Sequence, residues 1–193
     1  KNKFLSDNCL KELIKYANKL GIALFATPGD FESLDRICRL KMPAIKISSG
    51  LLTNLPLILK ASKKKVPIIL STGMAYLNEI SDAIKICKKY QNKIAVLKCT
   101  SIYPAPIEKL NLNGINKLKN IFNIPVGYSD HAIGIKPSIY SVAMGAKIIE
   151  KHFTLNKRQK GADHKISIQP KEFKKMVYQI RELEKIMGNN KLH

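Results

Sequence analysis

The sequence lacks any long apolar segment. Its longest apolar runs, such as Pro67–Leu70, are far too short to cross a bilayer. It also lacks a recognisable secretory signal, because its first residues lead into a polar helix without a cleavage-site pattern. The first residue is lysine rather than methionine, so we expect the sequence to be cut from a longer protein. Together these features favour a cytoplasmic protein with no membrane contact.

Arginine is scarce in a chain that is otherwise strongly basic. The formal net charge is +20, yet the only arginines are Arg36, Arg39, Arg158 and Arg181. Proteins that read nucleic acid tend to use arginine for bidentate and stacked contacts. The lysines are instead scattered over every predicted helix. This composition favours solvated helix faces over specific nucleic-acid binding, although a basic field would still attract anionic substrates.

The four cysteines form no CxxC pair and have no zinc-like spacing. Cys9 and Cys87 fall on predicted helices, and Cys99 falls in a predicted strand. We therefore expect small buried or half-buried thiols in a reducing compartment, and no disulfide.

A short apolar strand, a polar tip and an amphipathic helix recur along the chain. A helix over Cys9–Leu20 precedes the first strand, and another over Lys171–Met187 follows the last. Because the apolar runs of the strands are continuous rather than alternating, we expect parallel strands buried on both faces. The predicted strands are Ile22–Ala26, Ala44–Ser48, Pro67–Leu70, Ile94–Lys98, Pro125–Tyr128 and Lys147–Lys151.

This repeat favours an α/β fold of the TIM, or (β/α)8, barrel type. The strand starts recur at close to the roughly 30-residue repeat of such barrels. A doubly wound open sheet is the competing fold, but no glycine-rich dinucleotide turn follows any strand. Six strands can be counted, so we expect an incomplete barrel.

Every predicted strand ends in polar residues, which a barrel would bring together at its carboxyl-terminal mouth. Hydroxyl groups, a lysine and helix amino termini in a ring would bind phosphate and carboxylate groups. Lys46 lies within an apolar strand, where an unpaired ammonium is costly. It is either part of a structural salt bridge or an anion-binding lysine, and we favour the second interpretation.

His131 and His152 follow two strands that would be neighbours in the barrel. Imidazole is a common ligand for divalent transition metals, and two ligands would leave positions open for water or substrate. Asp130 could orient His131 or a neighbour. The other two histidines, His164 and His193, lack this context and are predicted to be surface residues.

Four strand-end motifs resemble those of N-acetylneuraminate (sialic acid) synthases and of the related legionaminic, pseudaminic and spore-coat polysaccharide synthases. These motifs are Ser71–Ala75, Cys99–Pro106, Val126–His131 and Ile149–Leu155, and the match extends from about Leu10 to Gly188. The resemblance implies a condensation of phosphoenolpyruvate with an N-acetylated amino sugar aldehyde, N-acetylmannosamine or a relative. It also implies a divalent cofactor, Mn2+ or Mg2+.

The resemblance further implies roles for individual residues. His131 and His152 correspond to the metal ligands, and Tyr103 and Asp163 to the groups that meet the amino sugar. The implied phosphoenolpyruvate contacts are Thr27, Lys46, Ser49, Ser71, Ser101 and Ser129.

Compared with that family, the sequence is expected to be a partial barrel over residues 1–188, without the first two strands. Residues 189–193 would begin a linker to an absent carboxyl-terminal antifreeze-like domain. We expect a homodimer of the full-length protein and no activity of this chain alone. Two alternatives stay open: a phosphoenolpyruvate-dependent aldol-type synthase that uses a simpler sugar phosphate, and a non-catalytic basic module that binds polyanions.

Overall fold

The computed structural model describes residues 5–91 and 93–188, in which five strands form one parallel sheet in chain order. The pairing runs from Ile45 against Ile68 to Asp130 against Lys151. The strands are β1 (Ile45–Ile47), β2 (Ile68–Ser71), β3 (Ile94–Cys99), β4 (Val126–Asp130) and β5 (Ile149–Lys151). Because the strand order never reverses, the sheet is that of a barrel rather than of a doubly wound domain.

A helix lies between each pair of consecutive strands, and further helices lie before and after the sheet. Among the described residues the helices are α1 (Asp7–Lys19), α2 (Phe31–Arg39), α3 (Leu55–Lys63), α4 (Leu77–Lys88), α5 (Asn113–Phe122), α6 (Lys136–Ala143) and α7 (Pro170–Met187). None of these described helices is long and apolar enough to span a membrane.

The sheet is curled, so that its first and last strands face each other. The Nζ atom of Lys46 in β1 lies 3.1 Å from Oε2 of Glu150 in β5, although three strands separate them in the sheet. A cavity of about 250 Å³ is lined both by Phe25, which precedes β1, and by Phe173 of α7. The sheet is therefore an incomplete barrel of the TIM type, as the sequence predicts.

The strands are buried because their apolar side chains pack on both faces. Leu70 and Val96 are fully buried, and all residues of β4 are buried, including its polar ones. Gly127 is required in β4 by close packing, since a Cβ atom there would lie 2.4 Å from the Ile148 carbonyl oxygen. The continuous apolar runs thus form a two-sided core.

The strand prediction is confirmed for five of the six runs, with ends that differ by at most two residues. The first run, Ile22–Ala26, is wrong as a strand, because only Ala26 pairs with the sheet, in an isolated parallel bridge to Ile45. Ile22 is 58% exposed. Among the described residues this run has a neighbour on one side only, so its apolar side chains gain little by forming a strand.

The cysteines are unpaired, as expected, but their burial differs from the prediction at one position. Cys87 and Cys99 are buried and Cys38 is half-buried, whereas Cys9 is exposed. Cys9 lies on α1, which has no buried residue. The apolar face of α1 is only half-buried among the described residues, where Leu10 and Ile14 pack against the core. The predicted linker over residues 189–193 lies outside the described residues.

Candidate active site

A cavity of about 300 Å³ lies at the carboxyl ends of the strands and collects polar side chains from all five of them. Its lining residues are Lys46, Ser48, Ser49, Gly50, Ser71, Met74, Ser101, Tyr103, Ser129, His131 and Glu150. We call this space the strand-end cavity. A larger cavity of about 480 Å³, lined by apolar residues such as Ile107 and Ile133, contains none of the predicted site residues.

Three serine hydroxyls meet at one wall of the strand-end cavity. Ser49 Oγ donates to Ser71 Oγ at 3.0 Å, and the N–H of Gly73 donates to Ser49 Oγ at 3.0 Å. A Cβ atom on Gly73 would lie 2.1 Å from Ser101 Oγ and 2.8 Å from Ser49 Oγ. The absence of a side chain at Gly73 therefore lets Ser49, Ser71 and Ser101 converge.

Two charged side chains, Lys46 of β1 and Glu150 of β5, line the cavity at the two edge strands of the sheet. Lys46 forms its ion pair with Glu150, and Ser129 Oγ donates to the other carboxylate oxygen of Glu150 at 2.7 Å. The side chain of Lys46 is only 12% exposed. The two interpretations of Lys46 are thus compatible, because the ammonium is paired and also lines the cavity.

Glu150 is a candidate site residue that the sequence reasoning missed. Alternation along β5 could have revealed it, because residues two apart in a strand point to the same face. Glu150 therefore points to the same side as His152.

His131 and His152 lie next to each other at the ends of β4 and β5. Their ring centroids are 5.3 Å apart. The Nδ1 atom of His131 lies 2.8 Å from the Thr100 carbonyl oxygen, which can only accept a hydrogen bond. Nδ1 therefore carries the proton, and Nε2 is left with a lone pair for a ligand.

The environment of His152 favours its neutral form. Burial lowers the pKa of its imidazole, and the nearby Asp163 carboxylate offsets this only in part. The Nδ1 atom of His152 lies 3.8 Å from Oδ2 of Asp163, whose side chain is 60% exposed. Asp163, which the resemblance assigns to the amino sugar, therefore lies next to His152.

A thiol lies beneath His131. Burial raises the pKa of Cys99, but hydrogen bonds from His131, Ser49 and Ser101 outweigh this effect and lower the pKa to about 6. Burial lowers the pKa of His131, but hydrogen bonds with Cys99 and with the Thr100 carbonyl leave the pKa raised. No motif in the sequence indicates this contact, in which Sγ of Cys99 and Nδ1 of His131 are 3.8 Å apart.

Tyr103 covers the two histidines on the solvent side. Its ring centroid is 4.0 Å from that of His131 and 5.7 Å from that of His152. The Tyr103 side chain is half exposed, and it lines the strand-end cavity as well as contacting the histidines.

A two-histidine set fits a divalent metal only as a sparse site. Within residues 5–91 and 93–188, no group of three or more His, Cys, Asp or Glu side chains is arranged to hold a metal ion. The two imidazoles are nevertheless possible ligands of a divalent transition metal, because Nε2 of His131 is left with a lone pair and the pKa of His152 is lowered. Such a site would leave most coordination positions to water and substrate.

Of the predicted site residues, Thr27, His152 and Asp163 do not line the strand-end cavity, and the predictions for Asp130 and His164 also differ from the structure. Thr27 is exposed and does not line it, so its role stays a prediction. Asp130 does not contact His131, because it pairs with Lys151 on the other face of the sheet. His164 was predicted to be a surface residue, but it is half-buried with Nδ1 2.8 Å from Thr154 Oγ1. His193 lies outside the described residues.

The order of these strand-end groups matches a known family. The sequence fits the model of the NeuB family over residues 1–192. The chain belongs to the NeuB family.

Relatives within the NeuB family include enzymes named for nonulosonic acids. The N,N'-diacetyllegionaminic acid synthase of Campylobacter jejuni is 49% identical over 183 residues, which is 93% of this chain and 54% of that protein. The crystal structure of N-acetylneuraminic acid (sialic acid) synthetase from Leptospira borgpetersenii, in complex with citrate, superposes with a TM-score of 0.95 at 36% identity. That match covers 98% of this chain and 66% of the other.

A more distant structure supports the NeuB-type barrel as a fold. A truncated 3-deoxy-D-arabino-heptulosonate 7-phosphate synthase from Thermotoga maritima has a TM-score of 0.85 at 20% identity. This match covers 95% of this chain and 74% of that one, and it shows the fold alone. The chain spans about half the length of the named NeuB relatives that it matches.

Proposed function

We propose that the chain is most of the catalytic barrel of a synthase that condenses phosphoenolpyruvate with an N-acetylated amino sugar aldehyde. The products would be a nonulosonic acid and phosphate. The observation that carries this function is the strand-end cavity, where Lys46 and the serine hydroxyls lie beside His131. Its residue types suit a small anion next to a metal-bound oxygen ligand.

Phosphoenolpyruvate would bind through the hydroxyls of Ser49, Ser71, Ser101 and Ser129 and through the ammonium of Lys46. Lys46 is already paired with Glu150 at 3.1 Å, so the incoming anion competes with that carboxylate. The bound anion would then neutralise the positive charge of Lys46. Thr27 is proposed as a further contact, on the strength of the motif alone.

Mn2+ or Mg2+ would be held by His131 and His152. When bound, the ion would supply Lewis-acid polarisation of the aldehyde oxygen and a means of activating water. The chain's own part is to present two imidazoles side by side at the ends of adjacent strands. Thr100 fixes the ring of His131 through its carbonyl.

The amino sugar would lie against Tyr103 and Asp163, on the solvent side of the histidines. The half-exposed ring of Tyr103 offers an apolar face and a hydroxyl, and Asp163 offers an acceptor for sugar hydroxyls. With the two substrates on opposite sides of His131, carbon 3 of phosphoenolpyruvate faces the aldehyde carbon.

The chemistry balances with water as the third reactant. A bond forms between carbon 3 of phosphoenolpyruvate and the aldehyde carbon, while the aldehyde oxygen takes up a proton. Water adds to carbon 2 and loses a proton. Cleavage of the carbon–oxygen bond to the phosphate group, with transfer of the remaining hydroxyl proton on carbon 2 to the departing phosphate, then gives the keto acid and inorganic phosphate.

The remaining features of the working enzyme are also proposals. They are a homodimer of the full-length protein, a cytoplasmic location, the two additional barrel strands and a carboxyl-terminal antifreeze-like domain reached through residues 189–193. A half-barrel has two open sheet edges, which favours association or a complementing segment.

Turnover assays with different acceptors test the reaction class. The full-length protein with Mn2+ should release phosphate from phosphoenolpyruvate with N-acetylmannosamine or a relative. Release with arabinose 5-phosphate or erythrose 4-phosphate, and none with N-acetylated acceptors, would instead identify the sugar-phosphate alternative. Salt-sensitive polyanion binding that survives Lys46→Met, without turnover of any acceptor, would identify the basic binding module.

A further inference from the structure

A buried ion pair lies behind the sheet, directly beside the two histidines. The Nζ atom of Lys151 is 3.0 Å from Oδ2 of Asp130, and their side chains are 2% and 0% exposed. In the part of the chain that the structure describes, no other ion pair has both side chains less than a tenth exposed. We call this pair the rear ion pair.

The rear ion pair is held by hydrogen bonds with two further segments of the chain, the turn after β4 and helix α6. Ser138 of α6 donates to Oδ2 of Asp130 at 2.6 Å, and the N–H of Ala132 donates to Oδ1 at 2.9 Å. Lys151 also donates to the carbonyl oxygen of Ala132. The pair therefore joins β4, the turn after it, α6 and β5 in one satisfied network.

The position of the pair in the sheet links it to both histidines. Asp130 and Lys151 are the last partners in the β4–β5 ladder. Each is followed by a histidine, and side chains alternate between faces along a strand. Asp130 and Lys151 therefore point behind the sheet, whereas His131 and His152 point to the mouth. Beyond this last pair no ladder hydrogen bond joins the two histidine-bearing segments.

A buried ion pair is a weak source of stability, because apolar residues of similar size often stabilise a fold as well or better. Unlike an apolar pair, this ion pair provides a directional link between the last two paired residues of β4 and β5. The link fixes how far apart the two strand ends lie and how each is rotated. The rings of the two histidines that follow the pair are 5.3 Å apart.

We propose that Asp130 and Lys151 are positioning residues that hold His131 and His152 at the spacing of a shared ligand. They act through the backbone of the strand ends and touch no substrate. This inference deepens the proposed function, and it rests on that function for the role of the two histidines.

The test measures the spacing of the histidines separately from metal binding. In metal-free protein, His131 and His152 should show a ring-to-ring nuclear Overhauser effect. Lys151→Met should weaken it, and the double variant Asp130→Asn/Lys151→Met should also weaken it. The double variant removes both charges, so it should recover most of the thermal stability lost in Lys151→Met. Its histidines should still be displaced.

Mn2+ affinity, measured by calorimetry, is the second readout. Loss of a group that orients metal ligands typically weakens binding about 10- to 100-fold, and we expect this range for both variants. Leu57→Ala is the matched control, because Leu57 is fully buried on α3 and lines no part of the strand-end cavity. It should lower thermal stability and leave both the Overhauser effect and the Mn2+ affinity within twofold of the parent.

The outcomes separate the two proposals. An unchanged Overhauser effect in the folded double variant would overturn the positioning role, whatever happens to stability. If the parent binds no Mn2+ but its variants show a weakened Overhauser effect, the positioning role is supported. The metal part of the proposed function is then contradicted. Should Lys151→Met fail to fold, the double variant decides.

Discussion

Lys46 and Glu150 show at the scale of single residues how the site depends on the fold. The two are 104 positions apart and meet at 3.1 Å only because the sheet curls. The sequence identified Lys46 from an ammonium within an apolar strand, but it could not identify its partner. Asp130 shows the reverse case. Because Asp130 is next to His131 in the chain, the sequence suggested a contact between them. Side chains alternate between faces along a strand, so Asp130 points to the other face and pairs with Lys151 there.

Gly73 gives the sharpest residue-scale prediction. Gly73→Ala should push the hydroxyls of Ser101 and Ser49 out of position, since the new Cβ would lie 2.1 and 2.8 Å from them. Losing hydrogen bonds to a charged ligand is worth roughly 1.5–3 kcal/mol, so phosphoenolpyruvate binding should weaken about 10- to 100-fold by calorimetry.

Gly50 provides the matched control for Gly73. It lines the same cavity, but a Cβ atom there meets nothing within 4 Å. Gly50→Ala should therefore bind phosphoenolpyruvate within about threefold of the parent, which is below 1 kcal/mol. Equal effects of the two substitutions would contradict the packing explanation.

His131 gives the second residue-scale prediction. His131→Ala removes one of two imidazole ligands, and Mn2+ binding should fall below detection in calorimetry, because one remaining ligand cannot hold the ion. His164→Ala is the control, since His164 contacts Thr154 rather than the strand-end cavity. Unchanged Mn2+ affinity in His131→Ala would refute the ligand assignment.

At the scale of elements, the continuous apolar runs predicted six strands, five of which are present, and the polar tips predicted the mouth of the barrel. Both follow from local chemistry: a strand buried on two faces needs apolar residues throughout, and its end can carry polar ones. The run Ile22–Ala26 has the same local chemistry but pairs only at Ala26. Strand formation also needs a neighbour, which composition does not encode.

Helix α7 begins with a carboxylate that makes its stability depend on pH. The Lys157 ammonium and the Gln169 N–H hold the pKa of Glu172 below its usual range. A lowered folded-state pKa stabilises the fold above the unfolded pKa of about 4.3, and this stabilisation disappears as the pH falls through the folded value.

Glu172→Gln should therefore lower stability at pH 7, and this loss should disappear as the pH falls through the lowered folded-state pKa, since the parent carboxylate then becomes protonated as well. Both side chains of the pair are about a third exposed, so we expect less than about 1 kcal/mol at pH 7. Thermal denaturation across this pH range measures it. Glu182→Gln is the control, because Glu182 lies on the same helix and joins none of the ion pairs among the described residues. A pH-independent loss in Glu172→Gln would contradict the assigned cause.

At the scale of the whole molecule, the half-barrel presents a formed wall of a site and an open side. Apolar residues are exposed on both flanks of the curl, including Phe25 before β1 and Phe173 on α7. Tyr16 and Leu20 are exposed at the end of α1 and immediately after it. The repeat in the sequence was enough to predict the barrel class. The curl, which brings β1 and β5 together, depends on contacts far apart in the chain.

We expect the 193-residue chain alone to be catalytically silent, because the five strands of its described residues form only an incomplete barrel around the strand-end cavity. A phosphate-release assay with phosphoenolpyruvate, N-acetylmannosamine and Mn2+ measures this. Robust consumption of phosphoenolpyruvate by this chain would contradict the expectation, and the site would then be complete as described.

Phosphoenolpyruvate binding by the same chain tests the central claim most directly, because binding requires only the side chains that already line the strand-end cavity. Calorimetry should detect binding by the parent and at least a tenfold loss in Lys46→Met, about 1.4 kcal/mol or more. Lys60→Met, which removes a lysine paired with Asp35 on the helical side, should bind like the parent. Equal affinity of the parent and Lys46→Met would contradict the assignment of the strand-end cavity as the phosphoenolpyruvate site.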